Sequence, residues 1–262
     1  MSTPAFDPTK AYKRFEVNGA FLGDGREVAL LEYVYSRPDL DQLRGNPSRV
    51  LQAIDEFART HTGLINVGEI KGAIVCDTIA KYKPAIMVEL GSYVGYSAIL
   101  FGNALKKAGG KAYYSIEKSP LFAAISTSLV DLAGLRDTVR VIVGTGEEGI
   151  MRLHKEGVLE PKVDMFFFDH HKPSYTPDLK VCERLGLVGV GTVLVADNMI
   201  QPGNPAYMAY VRASVAEKRE LDKESTEKGN PNLQYRSQFI KSFDPSGDED
   251  ALEITECVGV EA

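Results

Sequence analysis

The chain of 262 residues has no tryptophan, three cysteines and four histidines. Cys76, Cys182 and Cys257 are scattered at no pairing or metal-binding spacing, which argues against a disulfide framework and against a zinc centre. Each stands in an apolar or helical stretch, the setting of a core thiol, and the set fits a reducing, cytoplasmic location. No apolar run approaches the length that spans a bilayer. Met1-Ser-Thr-Pro-Ala-Phe-Asp7 has neither the basic nor the apolar region of a secretory signal. Positive charge is in the minority, 30 Lys and Arg against 36 Asp and Glu, for a net charge of −6. That balance speaks against a nucleic-acid or anionic-membrane partner. Internal repeats and long linkers are also lacking. A chain of this length fits one sizeable α/β domain, read here as residues 26–262 behind an aperiodic N-terminal arm, 1–25, and as a monomer.

What the sequence does have is alternation. Short apolar runs predict strands at 85–90, 112–116, 139–143, 163–168 and 190–196, with helices between them near 96–108, 119–133, 146–157 and 177–187. Strands separated by helices require right-handed crossovers and a parallel sheet covered on both faces. Further helices are predicted before this region, at 26–36, from an N-cap at Ser48, and at 68–81 with Ile70, Ile74, Val75 and Ile79 on its packed face. After it, 204–217 reads as one helix and 217–232 as a solvated loop. Leu233 to Val258 reads as two strands around the turn Phe243-Asp-Pro-Ser-Gly-Asp248.

The densest signal is Glu89-Leu-Gly-Ser-Tyr-Val-Gly-Tyr-Ser97, directly after the run Ala85-Ile86-Met87-Val88. Strand, glycine turn and helix together form the plan of a nucleotide-type cofactor site, where glycine permits a tight turn and a close approach. The spacing, acidic-x-Gly-x-x-x-Gly, differs from the dinucleotide fingerprint Gly-x-Gly-x-x-Gly. It favours S-adenosylmethionine, which has no pyrophosphate to cradle, over NAD or FAD. Glu117, at the end of the next strand, is placed to accept both hydroxyls of a ribose, or alternatively to serve as an acidic charge at the N-terminus of the helix after it.

Two later strands end in Asp169-His-His-Lys172 and Asp197-Asn198. Their C-terminal ends open into the same crevice as the glycine turn. Two carboxylates and an amide oxygen are a hard, oxygen-only donor set suited to Mg²⁺. Acids that end strands also cap following helices, and each half taken alone fits that role. Lys172, three residues beyond Asp169, is a candidate base. His170 and His171 are either loop residues or walls for adenine and substrate.

These residues resemble the catechol O-methyltransferase family from about Arg26 to Gly259. The matching runs are Gly45-Asn-Pro-Ser-Arg-Val-Leu-Gln-Ala-Ile-Asp55, Asn66-Val-Gly68, the glycine turn, Asp169-His-His-Lys172, Gly191-Thr-Val-Leu-Val-Ala-Asp-Asn198 and Pro202-Gly203. The resemblance implies a Rossmann-like α/β methyltransferase fold whose seven-stranded sheet is parallel except for its last strand. It implies Mg²⁺ on Asp169, Asp197 and Asn198, and Lys172 as the catalytic base. Contacts to S-adenosylmethionine would come from Val67, Glu89, Gly91, Tyr93, Ser97, Glu117, Gly144, Glu147, Asp169 and His170. A catechol-type small molecule would meet Lys172, His171, Asn198 and Pro202. The chain departs from the family at the substrate walls. The aromatic gatekeeper falls near Gly63 or Leu64, the tryptophan between aspartate and lysine is His171, and a glutamine of the adenine pocket is Glu147. The glutamate that holds the second hydroxyl falls near Ile240 or Lys241 and has no equivalent. Other readings are a methyltransferase for a caffeoyl- or flavonoid-type diol, or a cofactor-binding module without chemistry. The complete oxygen set with Lys172 argues against the latter.

Overall fold

The computed structural model describes residues 5–14 and 22–261. The remainder of the expected N-terminal arm, residues 1–4 and 15–21, lies outside the described residues. One seven-stranded sheet runs through the molecule in the order β3-β2-β1-β4-β5-β7-β6. Its strands are β1 (Ile86–Leu90), β2 (Ala112–Glu117), β3 (Val139–Val143), β4 (Met165–Phe168), β5 (Val193–Ala196), β6 (Leu233–Phe243) and β7 (Glu249–Val260). β1 to β5 pair in parallel, and β7 runs against both its neighbours, β5 and β6. The expected fold class, a Rossmann-like methyltransferase sheet with only its last strand reversed, is the one found.

The helices are α1 (Arg26–Tyr35), α2 (Leu40–Leu43), α3 (Pro47–Thr60), α4 (Gly68–Tyr82), α5 (Tyr96–Lys107), α6 (Pro120–Leu132), α7 (Gly146–Lys155), α8 (Tyr175–Arg184), α9 (Pro205–Arg212) and α10 (Val215–Glu224). Successive strand residues point to opposite faces, so an unbroken apolar run must be covered twice. Met165 and Phe167 of β4 accordingly join a core with α1 and α3–α6, while Phe166 and Phe168 join a second core with α7–α9. Phe101 of α5 meets Phe167 edge to face at 5.0 Å, the arrangement the ring quadrupoles favour.

Three sequence expectations need correction. The N-cap of α3 is Asn46, whose Oδ1 accepts from Arg49 N at 3.2 Å; Ser48 lies inside the helix. Pro47 occupies the first turn, where its missing N–H costs nothing. The helix expected at 204–217 is two helices, broken at Ala213, whose backbone is extended. Residues 217–224, expected as loop, belong to the second helix. Ser214 and Glu217 form a reciprocal capping box there, which satisfies two backbone donors at once.

Residues 5–14 lie against the domain. Tyr12 is buried, its N–H donates to Pro245 O at 2.8 Å, and its hydroxyl donates to the buried Asp55.

Candidate active site

The sheet's hydrogen-bond ladder continues one residue past each strand and aligns the candidate residues along one edge. Gly91 N donates to Ile116 O (2.8 Å), Gly144 N to Glu117 O (3.0 Å), Asp169 N to Leu90 O (2.9 Å) and Asp197 N to Phe168 O (3.0 Å). The C-terminal ends of β1 to β5 therefore share a single crevice, with Glu89 and Gly91 central, Glu117 and Gly144 on one side, and Asp169 and Asp197 on the other.

On the first side, Glu117 accepts Tyr93 N on Oε2 and Ser119 N on Oε1, both at 2.8 Å. Burial raises its pKa and these backbone donors oppose the rise. Tyr93 holds a left-handed φ of 47°, rare for a residue with a side chain, and its hydroxyl donates to Glu27 at 3.0 Å. The close approaches made by the glycines are to the chain itself. A Cβ on Gly91 would lie 2.5 Å from Asp169 O, and one on Gly95 would lie 2.6 Å from Ser126 Oγ. Gly91 thus lets the β1 and β4 turns touch. Glu89 is fully buried. One of its oxygens accepts from Ser115 Oγ, and Oε1 has no partner among the described residues. Burial pushes its carboxyl up to about 7, against the pull of Ser115. Ser97 is buried in the first turn of α5, Val67 is buried at the start of α4, and Glu147 lies in the first turn of α7.

His170 stacks on Tyr175 with ring centroids 4.8 Å apart, and its Nε2 meets Asp178 Oδ2 at 2.8 Å. A carboxylate only accepts, so Nε2 carries the hydrogen and the buried Nδ1 is an acceptor with no partner. Burial lowers this imidazole's pKa, with Asp178 opposing. The same Asp178 oxygen would lie 2.0 Å from a Cβ on Gly146, so any side chain at this position of α7 would have to displace the Asp178 carboxylate.

On the second side, Lys172 Nζ donates to Asp169 Oδ1 (3.1 Å), Asn198 Oδ1 (2.7 Å) and Tyr175 Oη (2.8 Å). Asn198, at φ 64°, lies in the left-handed region that asparagine tolerates. Asp197 Oδ1 accepts from Asn198 N at 2.7 Å and from Lys71 Nζ at 2.6 Å. Burial raises the pKa of Asp169 and Asp197, with Lys172 and Lys71 respectively opposing. Among the described residues no three His, Cys, Asp or Glu side chains form a metal-holding group. The set here is two carboxylates and one amide, and lysine ammoniums lie on an oxygen of each. Lys172 Nζ bridges Asp169 Oδ1 and Asn198 Oδ1. His171 is exposed, with Nδ1 3.4 Å from Ser174 Oγ, and Pro202 is exposed in the turn Met199–Gly203.

Sequence reasoning missed Lys71, Asp178 and Asp250. Lys71 could have been found: it stands four residues before Val75 and eight before Ile79, on the buried face of α4, and a lysine in such a position requires a buried counter-charge.

A family model described as a methyltransferase domain matches residues 88–199. An O-methyltransferase from Bacillus cereus, crystallised in complex with SAH, superposes with a TM-score of 0.59 at 18% identity, covering 88% of this chain and 96% of that one. Sheet order, glycine turn and crevice are those of a nucleotide-type cofactor fold, and the family match narrows it to a methyltransferase domain. Catechol O-methyltransferase of Mus musculus is 38% identical over 200 residues, spanning 76% of this chain and 72% of that protein. Its counterpart in Bos taurus is 36% identical over 198 residues, spanning 76% and 70%. The chain belongs to the catechol O-methyltransferase family and is an S-adenosylmethionine-dependent O-methyltransferase. Among the described residues no helix is long and apolar enough to cross a membrane.

Proposed function

We propose that this chain transfers the methyl group of S-adenosylmethionine to one hydroxyl of a catechol-type substrate, with Mg²⁺ held by Asp169, Asp197 and Asn198, as a cytoplasmic monomer. The observation that carries the reading is the position of Lys172 Nζ between Asp169 Oδ1 and Asn198 Oδ1. Once that amine has given up a proton, as a bound cation would favour, it would stand within reach of any hydroxyl drawn to those oxygens. S-adenosylmethionine supplies an electrophilic methyl on sulfur, and Mg²⁺ supplies Lewis-acid stabilisation of an oxyanion. The protein supplies the rest. Lys172 takes the proton of the reacting hydroxyl, and Tyr175 Oη and the two oxygens hold its amine in place. Glu117 and the unpaired Oε1 of Glu89 offer acceptors to the ribose hydroxyls and the ammonium of the cofactor. His170 Nδ1 offers a buried acceptor beside the adenine pocket, where Gly144 and Glu147 flank the turn into α7. Val67, Tyr93 and Ser97 close the cofactor side. Holding two reactants in line removes much of the entropic barrier.

Another vicinal diol, of caffeoyl or flavonoid type, is favoured at one point. His171 is exposed and no acid stands at Ile240 or Lys241, so the ring-side wall is open to larger substituents. Chromatographic assay of methyl transfer over vicinal diols and single phenols, with metal-stripped protein and with Mg²⁺ restored, tests the proposal. Methylation only of vicinal diols and only with Mg²⁺ is expected. Equal turnover in metal-free buffer would overturn it.

A further inference from the structure

Behind the proposed cation site lies an ion pair that the chemistry above does not use. Lys71 is 1% exposed and Asp250 is fully buried. Lys71 Nζ reaches Asp197 Oδ1 and Asp250 Oδ2, each at 2.6 Å. Asp250 Oδ2 also accepts from Asn198 Nδ2 at 3.1 Å, and its Oδ1 accepts from Ile200 N and Gln201 N, both at 3.1 Å. A carboxylate has about four acceptor positions, and all of those on Asp250 are filled from within the chain. Asp250 therefore has nothing left for a substrate hydroxyl and is no replacement for the absent glutamate.

Its bonds instead decide which atoms of its neighbours face the crevice. An asparagine amide can present oxygen or nitrogen. Because Asp250 only accepts, it must face the nitrogen of Asn198, which turns Oδ1 outward to Lys172. Lys71 and Asn198 N together occupy Asp197 Oδ1, so Oδ2 is the oxygen that remains for a ligand. The bonds to Ile200 and Gln201 fix the turn that follows and carries Pro202. Without Lys71, two buried carboxylates would face each other unscreened.

We propose that Lys71 and Asp250 are positioning residues that present Asn198 Oδ1 and Asp197 Oδ2 to the divalent cation, so that cation affinity depends on a pair that never touches it. The inference rests on the cation reading above.

Manganese(II) binding, followed by electron paramagnetic resonance, tests it in the wild type, in Asp250→Asn and in the double variant Lys71→Met/Asp250→Asn. Calorimetry with S-adenosylmethionine on the same samples reports whether the crevice is intact. The double variant removes one charge of each sign and keeps the local net charge. Both variants are expected to weaken manganese about 10–100-fold, the range for lost outer partners of metal ligands, with cofactor affinity held within about twofold. Recovery of manganese affinity in the double variant would show that net charge, not orientation, is at work, and would overturn the proposal. So would wild-type affinity in both variants. Parallel loss of cofactor binding would reduce the pair to a structural ion pair and overturn it as well. Failure of the wild type to bind manganese would sink the cation reading itself, an outcome distinct from the others.

Discussion

The two sides of the crevice handle buried charge in opposite ways. Beneath β1 and β2 the carboxylates meet neutral donors. Glu117 is held by two backbone N–H groups, and Glu89 by a serine, with one oxygen left over. At the ends of β4 and β5 the carboxylates meet lysines. Lys172 and Lys71 lie on Asp169, Asp197 and Asp250. The pKa directions follow this division only at Asp250, since burial raises Asp169 and Asp197 as well as Glu89. Glu89, with no cation beside it, is pushed up by burial to about 7. Asp250, despite burial, is drawn below the usual carboxylate range by Lys71. Asp197 shares the same lysine yet is raised, because burial outweighs Lys71 there and Asp250 repels it, whereas Asp250 itself receives additional backbone donors. One side leaves an oxygen of Glu89 without a donor, which on the proposed function would serve a ligand bearing hydroxyls and an ammonium. The other arranges fixed charge around a point where a cation would enter.

Substitutions on the second side should have the largest effects and leave the first side untouched. Asp197→Ala removes a proposed cation ligand and strands part of the charge on Lys71. Turnover should fall by roughly four orders of magnitude or more, as the loss of several kcal/mol of transition-state stabilisation implies. S-adenosylmethionine binding should survive, and calorimetry checks both halves of that statement. Lys172→Met should cost ~10²–10⁴-fold in rate near neutral pH, the usual worth of a positioned base. Steady-state kinetics retaining wild-type turnover would place the base elsewhere.

On the first side the effects are smaller and fall on affinity. Glu117→Ala should weaken S-adenosylmethionine roughly 10- to 150-fold if its charge-assisted bonds are together worth about 1.5–3 kcal/mol. An unchanged dissociation constant would return Glu117 to the role of holding the turn through Tyr93 N and Ser119 N. Glu89 gives a pH signature. Its folded-state pKa lies above that of an unfolded glutamate, so the folded form binds the proton more tightly. Stability of the ligand-free protein should then decline as pH rises from about 4.5 to about 7, by up to about 3 kcal/mol from this group. Denaturant titrations across that window should show the decline in the wild type and a flatter profile in Glu89→Gln. His171→Trp should have the mildest effect. It adds apolar contact for a small ring and should lower KM for simple catechols a few-fold, by about 1 kcal/mol. Initial-rate measurements showing no change would mean that this exposed position does not wall the substrate.

How much of this was legible in the sequence follows the same division. Strands β4 and β5 announce themselves because they are buried on both faces and read as unbroken apolar runs, whereas β1 and β2 carry polar residues and the edge strand β3 is half exposed and legible mainly from its valines. The ends that carry the candidate residues are legible because a strand's last residues stay adjacent in sequence to the turn they serve, as in Asp169 to Lys172. The supporting pair is not, since Lys71 lies 126 residues from Asp197 and 179 from Asp250. Only the folded sheet, with β7 inserted between β5 and β6, brings them together. Asp178 was missed likewise, because its partner His170 is fixed by the packing of α8 on the end of β4. The break at Ala213 is a different case. Ser214-Val-Ala-Glu217 is a capping-box signature in plain view, and the apolar spacing of 204–217 obscured it.

The division of the crevice is tested most directly by titrating a simple catechol into protein saturated with S-adenosylhomocysteine, with and without Mg²⁺. The account predicts heat of binding only when Mg²⁺ is present, with the cofactor product equally well bound in both samples. Catechol binding of the same affinity in metal-free protein would contradict it, because the diol would then be held by walls that owe nothing to Asp169, Asp197 and Asn198.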